Sequence, residues 1–464
     1  MNITDNGINM LDSYSASIKK FDSINYDYNC IDEIKVNSDV KLNDYLKGIY
    51  SEAKHMKPVC ERSRSILRAC LEEVICKDSQ LDNNDLTDAL QDFDIYPVIK
   101  TVEHAELMLH KNTILSNYLH SYAARSVGVR HFFSKQCTRV KSINCNKSLT
   151  GPAIIPRGEG KYLKIYGLGI NKLSKTPVVC LNNITTDFQY INSDREIMLC
   201  TDYPKILEKY NNTYYERSVY FINCVNRYIW RNIEFNSKSE IVLFDEDFVC
   251  ELVARLLLDQ DNAFYKLFSN QAALIYLLNE RKKAKESNVR CQIDGTTDFF
   301  WYRGKKSLNS LKLEITENSK LRLVCPVGKI EPIEFEARKL AKLMDERIIY
   351  PDNTISYFVT SLFPGVVNLG GGSQSEYLPK IKEILIATCK KFNILNIGQQ
   401  DTLEENQISK LLFYGLLEAD QSLDLALCQM DGNDDLDQLI EDKLRYTLKE
   451  SVGELNAFKY LLSL

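Results

Sequence analysis

Two β-rich segments with a helical stretch between them constrain this chain more than any other feature. Ile95 to Val102 reads IYPVIKTV, His104 to Val127 carries apolar residues at helical spacing, and Val129 to Phe133 reads VRHFF. Runs of β-branched and aromatic residues favour strands, and strand, helix, strand in succession predicts a right-handed crossover joining two parallel strands. Parallel sheets are covered by helices on both faces and open a ligand crevice at the carboxyl ends of their strands. Function is therefore expected near Lys100 to Glu106.

The same alternation returns later. Glu240 to Phe244 reads EIVLF, and Asp245 to Glu286 follows with an acidic start and long helical periodicity. Asp245 or Asp247 is expected to cap that helix, because a carboxylate satisfies free amides at a helix start. Ile333 to Ile348 is expected as another helix. From Ser356 to Phe392 the order is an apolar helix, a Pro-Gly turn, a strand, three glycines and a helix. The fold class expected is α/β: a Rossmann-like parallel sheet core with inserted connective regions and helical N- and C-terminal segments. Residues 1–90 form a loosely ordered lead-in followed by two helices before Asp78. Residues 91–145 and 236–395 form the two halves of the core, the second with a small connective insertion. Residues 146–235, rich in Gly, Pro and Lys around Gly151 to Pro177, form a larger insertion, and 396–464 a helical segment.

A length of 464 residues calls for several structural units or one core with large insertions, in keeping with that division. The formal charge of −5 argues against broad nucleic-acid binding, which needs a basic excess to neutralise phosphates. The 14 cysteines show no paired spacing, so they are expected as reduced, mostly buried thiols. The N-terminus has no basic segment leading into an apolar run, and no stretch is apolar enough to span a bilayer. A cytoplasmic protein with no membrane partner is expected.

Few motifs carry chemistry. Gly370, Gly371 and Gly372 form a turn between strand and helix that can bring backbone amides close to an anion, through unusual backbone angles or close approach, though packing alone would also explain it. Gly167-Leu-Gly169 lacks the third glycine of a dinucleotide fingerprint, and no phosphate-binding loop of the GxxxxGK type occurs. At Glu103, His104 and Glu106 an imidazole lies between carboxylates that can orient it or act as a base, although helix starts favour acidic residues anyway. The five histidines have no zinc spacing, and the cluster from Asp431 to Asp435 has Leu436 where a calcium loop needs glycine. No metal site is expected.

From Ile95 to Phe392 the ordered segments VEHAELML, EIVLFDEDF, NVRCQIDGTTDFFWYRGKK and the element from Pro364 to Tyr377 resemble the cysteine-adding enzymes of bacillithiol biosynthesis. The last element is the most specific: Pro364, VVNL, Gly370 to Gly372 and Tyr377 follow the family order, with Gln374 where the family has an acidic residue. The resemblance implies a core like that of class I aminoacyl-tRNA synthetases and a ligase joining an amino acid, cysteine in the family, to a small amine-bearing acceptor. It implies acid-base or orienting roles for Glu103 and His104. Substrate contacts would fall at Asn117, Asp245, Gly370, Gly371, Gly372, Gln374 and Tyr377. Such a bond needs an activated carboxyl, so ATP or an already activated donor is implied by the chemistry.

There are departures. Glu103, His104 and Glu106 stand where the family has paired glutamines and a glycine, and Asn117 where it has a lysine. Gln136 to Arg139 replaces an acidic, histidine-containing cluster, and Ile355-Ser356 an Arg-Pro. No long coiled coil, by which the family dimerises, is expected after Asp401. Replacing several polar contacts at once implies a changed substrate or lost catalysis, since an unpaired buried partner costs about 1–3 kcal/mol. The alternative expectation is a catalytically silent member that binds a metabolite or a protein.

Overall fold

The computed structural model describes residues 33–34, 36–76, 83–109, 111–143, 151–156, 161–192, 194–198, 205–233, 238–286, 296–328, 330–412, 416, 441–442 and 444–453. The lead-in before 33, the start of the NVRCQIDG element and the cluster from Asp431 to Asp435 lie outside the described residues.

Helices α1 (Leu42–Ala53), α2 (Glu61–Cys76) and α3 (Asn83–Ile95) precede β1 (Val98–His104), α4 (Lys111–Arg125) and β2 (His131–Cys137). Strands β3 (Ile154–Pro156), β4 (Tyr162–Tyr166), β5 (Asn182–Ile191) and β6 (Ile197–Met198) make an antiparallel sheet, and β7 (Tyr214–Arg217) pairs with β5. Helix α5 (Ser218–Asn232) leads back to β8 (Glu240–Phe244), followed by α6 (Glu246–Leu258), α7 (Ala263–Ser269) and α8 (Gln271–Glu286). A second insertion holds β9 (Phe300–Arg303), β10 (Leu308–Ser310), β11 (Lys312–Ile315), β12 (Leu321–Val324), β13 (Ile333–Glu334), α9 (Ala337–Asp345) and β14 (Ile349–Pro351), in two three-stranded sheets. Then come α10 (Asn353–Tyr357), a π-helical turn over Phe358–Leu362, β15 (Val367–Gly370), α11 (Gly372–Phe392), α12 (Ile397–Glu405) and β16 (Ser409–Leu411).

The central sheet is parallel throughout, in the order β16, β15, β1, β2, β8, which makes the protein α/β with a Rossmann-like core. Consecutive residues of its strands feed opposite cores. Val98, Phe132, Ile241 and Leu243 pack on one side with α1, α4 and α5; Ile99, Phe133, Val242 and Phe244 pack on the other with α2, α3, α6 and α7. A strand buried on both faces must be apolar at successive positions, which is why these segments read as continuous runs. Among the described residues no helix is long and apolar enough to cross a membrane.

Several boundaries differ from those the sequence predicts. Strand β1 runs on through His104, two residues past the expected Val102, so the turn begins at Ala105 and α4 only at Lys111. The single long helix expected after Asp245 is three: the Asn262 side chain accepts from Phe264 N and that of Asn270 from Ala273 N, so each asparagine starts a new helix. Ile333 to Ile348 is helical only over α9. The segment after Asp401 contributes β16 to the sheet edge, its Leu411 buried, where only helix was expected. An open strand edge offers free backbone groups that a neighbouring segment can hydrogen-bond, and tertiary context of this kind overrides local propensity.

Candidate functional site

From β1 the chain moves one way across the sheet, to β2 and β8, while β15 and β16 lie on the other side. The order therefore reverses between β1 and β15, and open α/β sheets place ligands at the carboxyl ends of the strands where it reverses. Register pairs Val98 with Val367 and Lys100 with Leu369, bringing Thr101 beside Gly370 at that point.

A chain of buried polar side chains closes the gap. Gln374, in the first turn of α11, folds back so that its carboxamide fills the space a Cβ on Gly370 would occupy. Its Oε1 accepts from Thr101 Oγ1 at 2.6 Å and from Tyr357 OH at 3.1 Å. The Tyr357 and Tyr377 hydroxyls are 2.7 Å apart, and since Tyr357 gives its hydrogen to Gln374, Tyr377 donates to Tyr357. Burial pushes both phenols above their ordinary range, which keeps them neutral. Gln374 Nε2 and both polar atoms of Asn368, two residues before Gly370 on the same strand face, are buried and have no hydrogen-bond partner among the described residues. Buried amides of this kind are what a ligand's carbonyl or hydroxyl would satisfy.

The glycine triplet works by close approach alone. None of Gly370, Gly371 and Gly372 has a positive φ; Gly371 is the extended N-cap of α11 and Gly372 its first residue. The positive φ lies earlier, at Gly365 (+65°), where a Cβ would also meet the Lys57 backbone.

The expected site residues separate. His104 ends β1 with an exposed side chain, opposite Cys137 in register; its carbonyl accepts from Glu106 N at 2.8 Å, while its imidazole has no partner among the described residues. Glu103 pairs through its backbone with Gln136, and its side chain lies outside the described residues. Glu106 does not hold the imidazole: its Oε1 accepts from Thr113 Oγ1 at 2.9 Å at the start of α4, and its carbonyl from Asn226 Nδ2. Asn117 is not at the rim. It is wholly buried in α4 on the other sheet face, where its Oδ1 accepts from Lys100 Nζ at 2.8 Å. Asp245 caps α6, accepting from Asp247 N at 2.8 Å as expected, but stands at the edge strand, two strands away from β1. Gln374, Tyr377 and Gly370 do meet, joined by Thr101 and Tyr357.

Sequence reasoning missed Thr101, Tyr357, Asn368 and Glu246. Glu246 is fully buried and accepts from Thr138 N and Oγ1, each at 2.5 Å, with Arg139 Nε at 3.5 Å and Lys135 Nζ at 4.0 Å. Burial alone would raise this carboxyl; the Lys135 and Arg139 charges and the Thr138 hydrogen bonds outweigh it and hold the group below the usual range. The segment from Gln136 to Arg139 thus ties β2 to α6 instead of presenting an acidic cluster. No motif signals these residues, because each acquires its partner only across the fold. Among the described residues no three His, Cys, Asp or Glu side chains gather as a metal would require.

Fold and crevice together define an α/β protein with a Rossmann-like parallel sheet whose switch point is lined by neutral polar groups. No family model, curated protein or solved structure matches this chain.

Proposed function

We propose that the protein binds a small polar molecule between the carboxyl ends of β1 and β15, and that its chemistry is ligase-like, joining an amino acid to an amine-bearing acceptor. One observation carries the binding proposal: Thr101 and Tyr357 hold the Gln374 carboxamide by its oxygen, leaving a buried N–H donor unsatisfied at the switch point. The chemistry is what the resemblance to the cysteine-adding ligases contributes. In such a reaction the acceptor amine attacks the activated acyl carbon, the carbon–nitrogen bond forms, and the leaving group departs with its electron pair. Gln374 Nε2 would donate to the acyl oxygen as it gains charge, and His104, exposed at the rim, would take the amine proton.

The described residues fit a triphosphate poorly. Lys135 and Arg139, the cations at the end of β2, are drawn to Glu246, and Lys100 is buried against Asn117. An already activated donor suits this rim better than ATP. A second reading, a binding protein without turnover, is favoured by Glu106, which is engaged at the start of α4 rather than beside His104.

Melting curves with aminoacyl-adenylate analogues and amino sugars, combined with mass-spectrometric detection of an amide product, test both. Binding at the switch point requires a ligand-dependent rise in Tm that Gly371→Glu abolishes and Gln374→Leu reduces. If no such ligand raises Tm, the switch-point site is wrong; a rise without product leaves only the binding protein.

A further inference from the structure

A second cleft, of about 610 Å³, opens beside the edge strand β8, between the N-terminal parts of α5 and α6 and the end of α9. Its size suits a small molecule. It shares no residue with the Gln374 chain, and its lining is charged in both signs. Asp247 is shared by two guanidinium groups: Arg217 Nη2 donates to its Oδ1 at 2.8 Å, and Arg347 Nε lies 3.7 Å away, with Tyr350 OH also donating at 2.8 Å. Arg217 also pairs with the other Asp247 oxygen, and Arg227, Asp245, Glu251 and Asp345 share the lining, so cations and carboxylates alternate around the cleft. Asp245 spends Oδ1 on its helix cap, and the exposed Asp345 carboxylate, whose backbone carbonyl accepts from Arg347 Nη1, has no partner among the described residues. Two residues of the lining carry buried polar atoms with no hydrogen-bond partner among the described residues: Arg217, about nine-tenths buried, at its cationic donor Nε, and Asn223 at its acceptor Oδ1. An unsatisfied guanidinium N–H and an unsatisfied amide oxygen in one cleft are complementary to a carboxylate and an ammonium.

We propose that this cleft binds a small zwitterion of the α-amino acid class, carboxylate towards Arg217 and Arg347, ammonium towards Asn223 and Asp245. The site stands whether or not the switch point binds or reacts, since the two share no side chain.

Calorimetric titration of the full chain with each of the twenty common L-amino acids tests it. At least one should bind, while its decarboxylated amine and its deaminated acid should bind at least about tenfold more weakly, the loss of one charge-assisted contact. Arg347→Met and Asn223→Leu should each weaken binding by about tenfold or more. Asn223→Leu removes an oxygen with no hydrogen-bond partner among the described residues, so it should fold even if Arg347→Met does not. Gly371→Glu, at the switch point, should leave the affinity unchanged. The proposal is overturned if no amino acid binds, if the single-charge analogues bind equally well, if Asn223→Leu binds normally, or if Gly371→Glu abolishes binding.

Discussion

At the scale of single residues, Gly370 and Gln374 behave as one unit, because the carboxamide of one occupies the Cβ space of the other. Gly370→Ala should expel the amide and break its bonds to Thr101 and Tyr357, costing about 1–3 kcal/mol in denaturant unfolding. In a Gln374→Ala background the same change should cost clearly less, and equal costs in the two backgrounds would show that the residues are not coupled. Asp245 bears on pH dependence. Burial is the main cause that pushes its carboxyl up to about 6, with Glu246 adding to it and Arg217 and Arg347 opposing. The folded state therefore binds this proton more tightly than the unfolded chain, so the group's penalty is absent below about pH 4, grows as pH rises, and is complete above about pH 6. Asp245→Asn keeps the helix cap and should remove that penalty, on the order of 2–3 kcal/mol above pH 6 at most, with little change near pH 4. Thermal melts across this range read the effect; equal shifts at both ends would mean the carboxyl is not perturbed.

Between elements, charge and backbone geometry fix the joints. Glu246 at the start of α6 holds the end of β2 through Thr138, Lys135 and Arg139. Glu246→Gln would leave the buried Lys135 ammonium without its counter-charge and should cost about 3 kcal/mol, read as a lower Tm. The turn between the π-helical segment and β15 is fastened from α2, where Arg64 donates to the carbonyls of Pro364 and Gly365 at 2.6 Å each. There the chain needs glycine: Gly365→Ala forces a side chain into positive φ and against the Lys57 backbone, with at least about 1–3 kcal/mol lost by strain alone. Tolerance of alanine at this position would show that the turn is not fixed as described. Much at this scale was legible beforehand. EIVLF is a strand over the residues expected and Asp245 caps the helix after it, because both follow from local chemistry. The division of Asp245 to Glu286 was missed, although Asn262 and Asn270 are the capping residues that signal it, because continuous apolar periodicity hides two short breaks.

Over the whole molecule, burial on both faces singles out the middle of the sheet. Amides of β1, β2 and β15 should exchange with deuterium most slowly, and those of β16, paired on one side only, faster; the reverse order would contradict the strand arrangement. Local pattern determined that this chain builds parallel strands covered by helices, since successive apolar residues can be buried only in a sheet packed on both sides. Which polar groups meet was decided by the tertiary structure alone. Thr101 and Gln374 are 273 residues apart and become neighbours only because β15 inserts beside β1. Asn117 and Lys100, close in sequence, are carried to the opposite face because the side chains of a strand alternate. Periodicity is a property of neighbours along the chain, whereas a site is made by groups whose distance is set by strand order, and no local pattern encodes that.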